Sequence, residues 1–168
     1  MILPRFAFTT VSPMYNAEII TDAYISAPVR QREISNPIRV RALWDTGASK
    51  SVITPHIKEQ LGIKADGAAK VCHAGGESLV GTYLVDIILP NKIAIPGVRV
   101  SECSEQGVHF DIIIGMDIIS LGDFSITGQG IKRMVSFCLP STAIIDYVQL
   151  LKQMDALKAP KPPEEDKA

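Results

Sequence analysis

Apolar and β-branched residues come in short runs separated by turn formers. The runs Glu18 to Ile25, Ile38 to Trp44, Val80 to Leu89, Ile93 to Ser101, Asp111 to Ile114, Phe124 to Thr127 and Arg133 to Phe137 have the length and composition of strands. Pro28, Pro37, Gly75-Gly76, Pro90-Asn91, Pro96-Gly97 and Gly128-Gln129-Gly130 punctuate them at the intervals of a compact all-β barrel or sandwich. Helical signals are few. Thr54 as cap, Pro55 at the first helical position and Gly62 as terminator predict one short helix, and a second starts near Met116. Beyond the last strand, Ser141 is placed to cap a third, in which Ile144, Ile145, Val148, Leu151 and Leu157 recur at helical spacing. That apolar stripe is expected to pack on the rest of the domain, with self-association or docking to a partner as the other readings. From Lys158 onward, KAPKPPEEDKA carries only alanine as apolar residue and cannot repay its ordering entropy. The chain therefore divides into one domain over residues 1–139, a C-terminal helix over 140–157 and a disordered tail over 158–168.

Composition narrows the function classes. With 168 residues and 46% hydrophobic content, there is material for one core and not two. Seventeen basic residues against eighteen acidic ones give a net charge of -1, so no electrostatic attraction to nucleic acid or an anionic membrane is expected. The opening MILPRFAF lacks the pattern of a leader, and no run approaches the roughly 20 apolar residues of a membrane span, which makes the cytoplasm the default location. Three cysteines, Cys72, Cys103 and Cys138, read as reduced, buried thiols and not as a disulfide framework.

The candidate chemistry lies in VRALWDTGASKSVITP. An apolar strand ends at Trp44 and delivers Asp45, Thr46, Gly47, Ala48 and Ser49 into a sharp turn before the first helix. A carboxylate at a strand end projects into a cleft, a neighbouring hydroxyl can lock the turn, and a glycine lets backbone approach a substrate. Small residues at Ala48 and Ser49 keep that approach open. The triplet alone also fits an ordinary Asx turn. Two later segments bear on the choice. Cys72 to Ser78 places Gly75 and Gly76 between two potential strands, the composition of a hairpin tip able to close over a cleft. Asp111-Ile112-Ile113-Ile114-Gly115-Met116-Asp117 joins an apolar strand to a glycine and a helix, as a strand crossing beneath the turn requires. Cys72-His73 and the pair Cys103 and His109 have poor spacing for a thiol or zinc centre, and no metal or other cofactor is expected.

In order and spacing, WDTGAS, the Gly75-Gly76 hairpin and IIIGMDII resemble the retropepsin-like aspartic peptidases over about Ile19 to Leu139. The resemblance implies a closed, orthogonal acid-protease-like barrel, with the C-terminal helix as an addition. It implies that Asp45 is catalytic, that Thr46 and Gly47 build the active-site loop, that Ala48, Ser49, Gly75 and Gly76 contact substrate, and that Ile114 and Gly115 support the loop. The chain departs from the retroviral pattern at Ser49 and Lys50, which stand in place of acidic residues. It departs again at Met116-Asp117, where Asp117 is read as a helix cap or structural acceptor.

Peptide hydrolysis of this kind needs two carboxyl groups around one water, one ionised and one protonated. No other aspartate here is followed by Thr-Gly or Ser-Gly, so the expected partner is a second copy, with Asp45 and its twin on a two-fold axis. The expected substrate is an extended peptide or protein, cut between hydrophobic residues below neutral pH. The other reading is a catalytically weak dimerisation or peptide-binding module on the same fold.

Overall fold

The computed structural model describes residues 5–13, 17–28, 36–73, 76–103 and 109–158. The chain forms β1 (Phe6–Pro13), β2 (Ile20–Ser26), β3 (Ile38–Trp44), β4 (Val52–Ile53), α1 (Pro55–Leu61), β5 (Gly67–His73), β6 (Gly76–Leu89), β7 (Ile93–Glu102), β8 (Ile112–Ile114), α2 (Met116–Ile119), β9 (Asp123–Gln129), β10 (Lys132–Leu139) and α3 (Tyr147–Lys158). The expected all-β architecture with short helices and an added C-terminal helix is the one adopted.

Two sheets make it up. The larger runs β2-β3-β8-β4-β7-β6-β5, and β2 also pairs with β6, which closes six of its strands into a barrel. Its interior is filled by alternate residues of each strand, as a period of two demands: Ala23 and Ile25 from β2, Val40, Ala42 and Trp44 from β3, Val85, Ile87 and Leu89 from β6. The strand β8 is apolar at all three positions because it lies inside the sheet, parallel to β3 and antiparallel to β4. The hairpin β5/β6 extends beyond the barrel wall in register from Gly67↔Thr82 to His73↔Gly76.

The smaller sheet, β1-β10-β9, packs against the barrel. Phe8, Phe137 and Phe124 share one row of it. All three surround Trp44, and Phe124 stacks flat on the indole with ring centroids 5.3 Å apart. Such ring pairs contribute about 0.5–1.5 kcal/mol beyond their buried area. The indole N–H donates to Thr21 Oγ1 at 2.9 Å, so burying the ring leaves no polar atom unpaired.

Several local expectations need correction. β1 is absent from the runs that patterning marks, because Thr9-Thr10 blurs its alternation and its pairing with β10 makes it a strand. Pro96-Gly97 is not a turn between strands. It lies within β7, opposite a register irregularity at Asp86, where Gly97 takes φ +67° and its N–H donates to Asp86 Oδ1 at 2.7 Å. The turn before β10 likewise falls at Gly130 and Ile131, with Gly128 and Gln129 still inside β9. Thr54 holds the N-cap position of α1 without a capping hydrogen bond, and Gly62 closes that helix at φ +61°.

The third helix starts at Tyr147 and not beside Ser141. Ser141 is drawn away to donate its hydroxyl to Asp123, and the cap is Asp146, whose Oδ1 accepts from the N–H groups of Val148 and Gln149 at 2.9 and 3.1 Å. Its stripe does not pack on the domain either: each residue from Tyr147 to Leu157 is exposed. Cys103 and Cys138 are half-buried and not fully enclosed. The tail from residue 159, Gly75 and the side chains of Cys72 and His73 lie outside the described residues. Among the described residues no helix is long and apolar enough to cross a membrane.

Candidate active site

β3 is a strand of the barrel wall that ends at Trp44, and Asp45 follows at its end. Asp45 is half-buried there, and Thr46 and Gly47 beyond it are exposed. The turn is held from inside. Gly47 N–H donates to Asp45 Oδ1 at 2.8 Å, closing an Asx turn, and Ala48 N–H donates to Asp45 C=O at 3.2 Å. The second carboxylate oxygen, Oδ2, and the Thr46 hydroxyl make no hydrogen bond to any described residue.

Beneath the turn lies the end of β8. Asp45 N–H donates to Ile114 C=O at 3.0 Å, and Met116 N–H donates to Ala48 C=O at 2.8 Å. Ile114 is fully buried. Gly115 is so tightly packed that a Cβ there would sit 2.6 Å from Lys50 C and 2.9 Å from Ala48 O. The loop therefore rests directly on backbone, and only a residue without a side chain fits between.

Ser51 ties the two segments together. Its backbone N–H and hydroxyl donate to Asp117 Oδ2 and Oδ1 at 3.0 and 2.8 Å, and its hydroxyl accepts from Gly115 N–H at 3.1 Å. Asp117 thus acts as an acceptor that fixes the far side of the turn, in agreement with the structural role read from the sequence; the N-cap of α2 itself is Gly115. The turn, the supporting Ile114-Gly115 and Asp117 are brought together. Ser49 is exposed beside them and Ala48 is half-buried.

The β5/β6 hairpin is separate from this cluster, and no hydrogen bond or ion pair among the described residues joins Gly76 to the turn. Its stem is anchored on the barrel. Asp66 accepts from Arg99 Nη1 at 2.6 Å and Thr82 Oγ1 at 3.2 Å, and the Arg99 guanidinium holds the Asp66 carboxyl below the usual range. Farther out, Lys70 and Glu77 pair across the two strands. Leu79 stands 78% exposed on the side of β6 that carries Gly81 and Tyr83. α1, which follows the turn, is pinned through Lys58 Nζ to Glu102 at 2.9 Å, with Tyr83 donating to the other oxygen of Glu102 at 2.8 Å. Burial pushes the Glu102 carboxyl up, but the bonds from Lys58 and Tyr83 outweigh it and hold it low. Sequence reasoning missed this triad, which joins residues far apart in the chain by tertiary contact alone.

Elsewhere, a cavity of about 360 Å³ lies between the two sheets, lined by Thr10, Ser12, Glu18, Arg41 and His109 among others. Asp45 does not line it. His109 pairs there with Glu18 at 2.5 Å. Among the described residues no group of three His, Cys, Asp or Glu side chains is arranged to hold a metal ion.

A family model described as aspartyl protease matches residues 31–118, which takes in the turn, the hairpin and the supporting strand. The chain belongs to the aspartyl protease family. Its fold is that of a retropepsin-like aspartic protease from Rickettsia conorii, which superimposes with a TM-score of 0.53 at 9% identity, over 83% of this chain and 98% of that one. The protease of EIAV, solved with an inhibitor, gives a TM-score of 0.49 at 20% identity, over 64% of this chain and 89% of that one. A comparison with curated proteins finds no match.

Proposed function

We propose that this member of the aspartyl protease family is an active endopeptidase that works as a homodimer, with a water held between the Asp45 carboxyls of two copies. The observation that carries the reading is the state of the turn. One Asp45 oxygen is occupied by Gly47 N–H, while Oδ2 and the Thr46 hydroxyl lack partners among the described residues. A turn braced this thoroughly from below, with its polar groups open on the other side, fits half of a site better than a complete one.

In the proposed dimer the two carboxyls lie too close for both to ionise, so they share a proton and titrate as a pair. The ionised member takes a proton from the water while the protonated one polarises the scissile carbonyl. Thr46 braces the two turns against each other. Ala48, Ser49 and the hairpin around Gly75 and Gly76 hold an extended peptide, whose backbone can take hydrogen bonds from the hairpin and whose side chains sit against apolar surface such as Leu79. Cleavage falls between hydrophobic residues, below neutral pH. The near-zero net charge favours a peptide over nucleic acid or a charged membrane as partner.

The test is a mixed peptide library incubated with purified protein across a pH series, comparing wild type with Asp45→Asn. Cleavage that disappears in a variant that still dimerises supports the reading. Dimerisation and peptide binding without cleavage by wild type would make the protein a binding module instead. Specific activity is also expected to rise with protein concentration and to level off once dimer dominates.

A further inference from the structure

The most conspicuous unmet demand in the molecule is α3. Its twelve residues form a length of helix that is marginal by itself in water. At 100° per residue, Tyr147, Leu150, Leu151, Met154 and Leu157 fall on one side, opposite Gln149 and Lys152. Four of them, Tyr147, Leu150, Met154 and Leu157, repeat at intervals of three, four and three, the a and d positions of a helix pair. All are exposed, Leu157 at 86%. An apolar stripe of this kind is covered in a working protein.

What covers it is indicated by where the helix is rooted. Asp123 accepts from Thr142 N–H at 2.5 Å and Ala143 N–H at 3.1 Å, and also from the Ser141 hydroxyl, so the chain leaving β10 is clamped at the start of β9. Phe124, the next residue, stacks on Trp44, and Trp44 adjoins Asp45. The root of α3 is thus linked through Asp123, Phe124 and Trp44 to the strand end that carries Asp45. From Ala143 to Asp146 the chain spans at most about 11 Å, and α3 is about 18 Å long. In a dimer with Asp45 at its axis, an element rooted on the contacts behind that strand end is placed to meet its own copy. Charge agrees: Asp146 and Asp155 balance Lys152 and Lys158, so two such helices do not repel each other, and the polar face lacks the basic character suited to an anionic lipid surface.

We propose that α3 of one copy packs stripe against stripe on α3 of a second copy, and that this pairing supplies part of the stability of the dimer. The inference rests on the two-copy reading of the active site. The test is sedimentation of the full chain over a concentration series, comparing wild type with the double variant Leu150→Lys, Met154→Lys. The variant is expected to raise the dimer dissociation constant by at least about tenfold and to melt like the wild-type monomer. An unchanged constant overturns the helix pairing while leaving the shared active site standing. A wild type that stays monomeric while cleaving peptides defeats both. Because a doubly charged variant can misfold, Leu151→Cys provides a second reading: under mild oxidation it should give a covalent dimer above the background of the wild-type cysteines, and no gain over that background overturns the pairing.

Discussion

Removing the carboxylate of Asp117 separates structural from catalytic acids. Ser51 is fully buried, and both of its donors, the backbone N–H and the hydroxyl, end on Asp117. In Asp117→Ala these donors lose their acceptor together, and each buried, unsatisfied donor costs about 1–3 kcal/mol. Asp117 is half-buried, so water entering the space left behind recovers part of the loss, and the net cost is about 2–3 kcal/mol. For a domain of this size each kcal/mol lowers Tm by about 2–4 °C, which gives a drop of roughly 4–12 °C. Asp117→Asn keeps the shape and one acceptor oxygen and should lose less than half as much. Calorimetry gives the stabilities, and peptide cleavage per folded molecule gives the activities. Both Asp117 variants should retain measurable turnover while folded, whereas Asp45→Asn loses it with little change in Tm. An Asp117→Ala variant that melts with wild type would refute the account of the turn, and an Asp117→Asn variant that is fully folded but inert would make Asp117 part of the chemistry.

Gly115→Ala drives a Cβ into the backbone of Lys50 at distances far below the roughly 3.5–4.0 Å of a relaxed carbon contact. Overpacking should cost about 1–3 kcal/mol, and a displaced loop should lower kcat/KM by up to about a hundredfold; Ile118→Val, a buried deletion without a clash, should lower Tm with little loss of activity. Asp123 is held at about 2 by hydrogen bonds from Ser141 and Thr142. Because this value is depressed, the clamp is fully present above the ordinary carboxylate range and is lost only as pH falls towards 2, so the amide resonances of Thr142 and Ala143 should titrate with a midpoint near 2 and the root of α3 should stay fixed at the acid pH proposed for catalysis. Leu79→Asp, at an exposed hairpin position, should weaken cleavage of hydrophobic peptides through KM without moving Tm.

The barrel was legible because its strands are buried on one face and alternate, or, like Ile112–Ile114, are apolar throughout with the second face half-buried. The turn was legible because Asp45, Thr46 and Gly47 lie together in the chain and their roles are local. What escaped was set by partners distant in sequence. Gly67, Ala68 and Ala69 have little strand preference of their own and are held extended by Thr82, Gly81 and Val80 across the hairpin. Ser141 has the chemistry of a cap, yet a carboxylate from β9 takes its hydroxyl and the cap passes to Asp146. The stripe on α3 could be read from its spacing, but spacing carries no information about what lies opposite.

Pairing of β1 with β10 sets when the site can exist during synthesis. Phe8 waits for Phe137, and Trp44 waits for Phe124, so the contacts around the residue before Asp45 join segments far apart in the chain. Such long-range closure is slow and comes late. On the ribosome, the nascent chain exposes Asp45 well before the strands that pack around Trp44 from the other sheet have emerged.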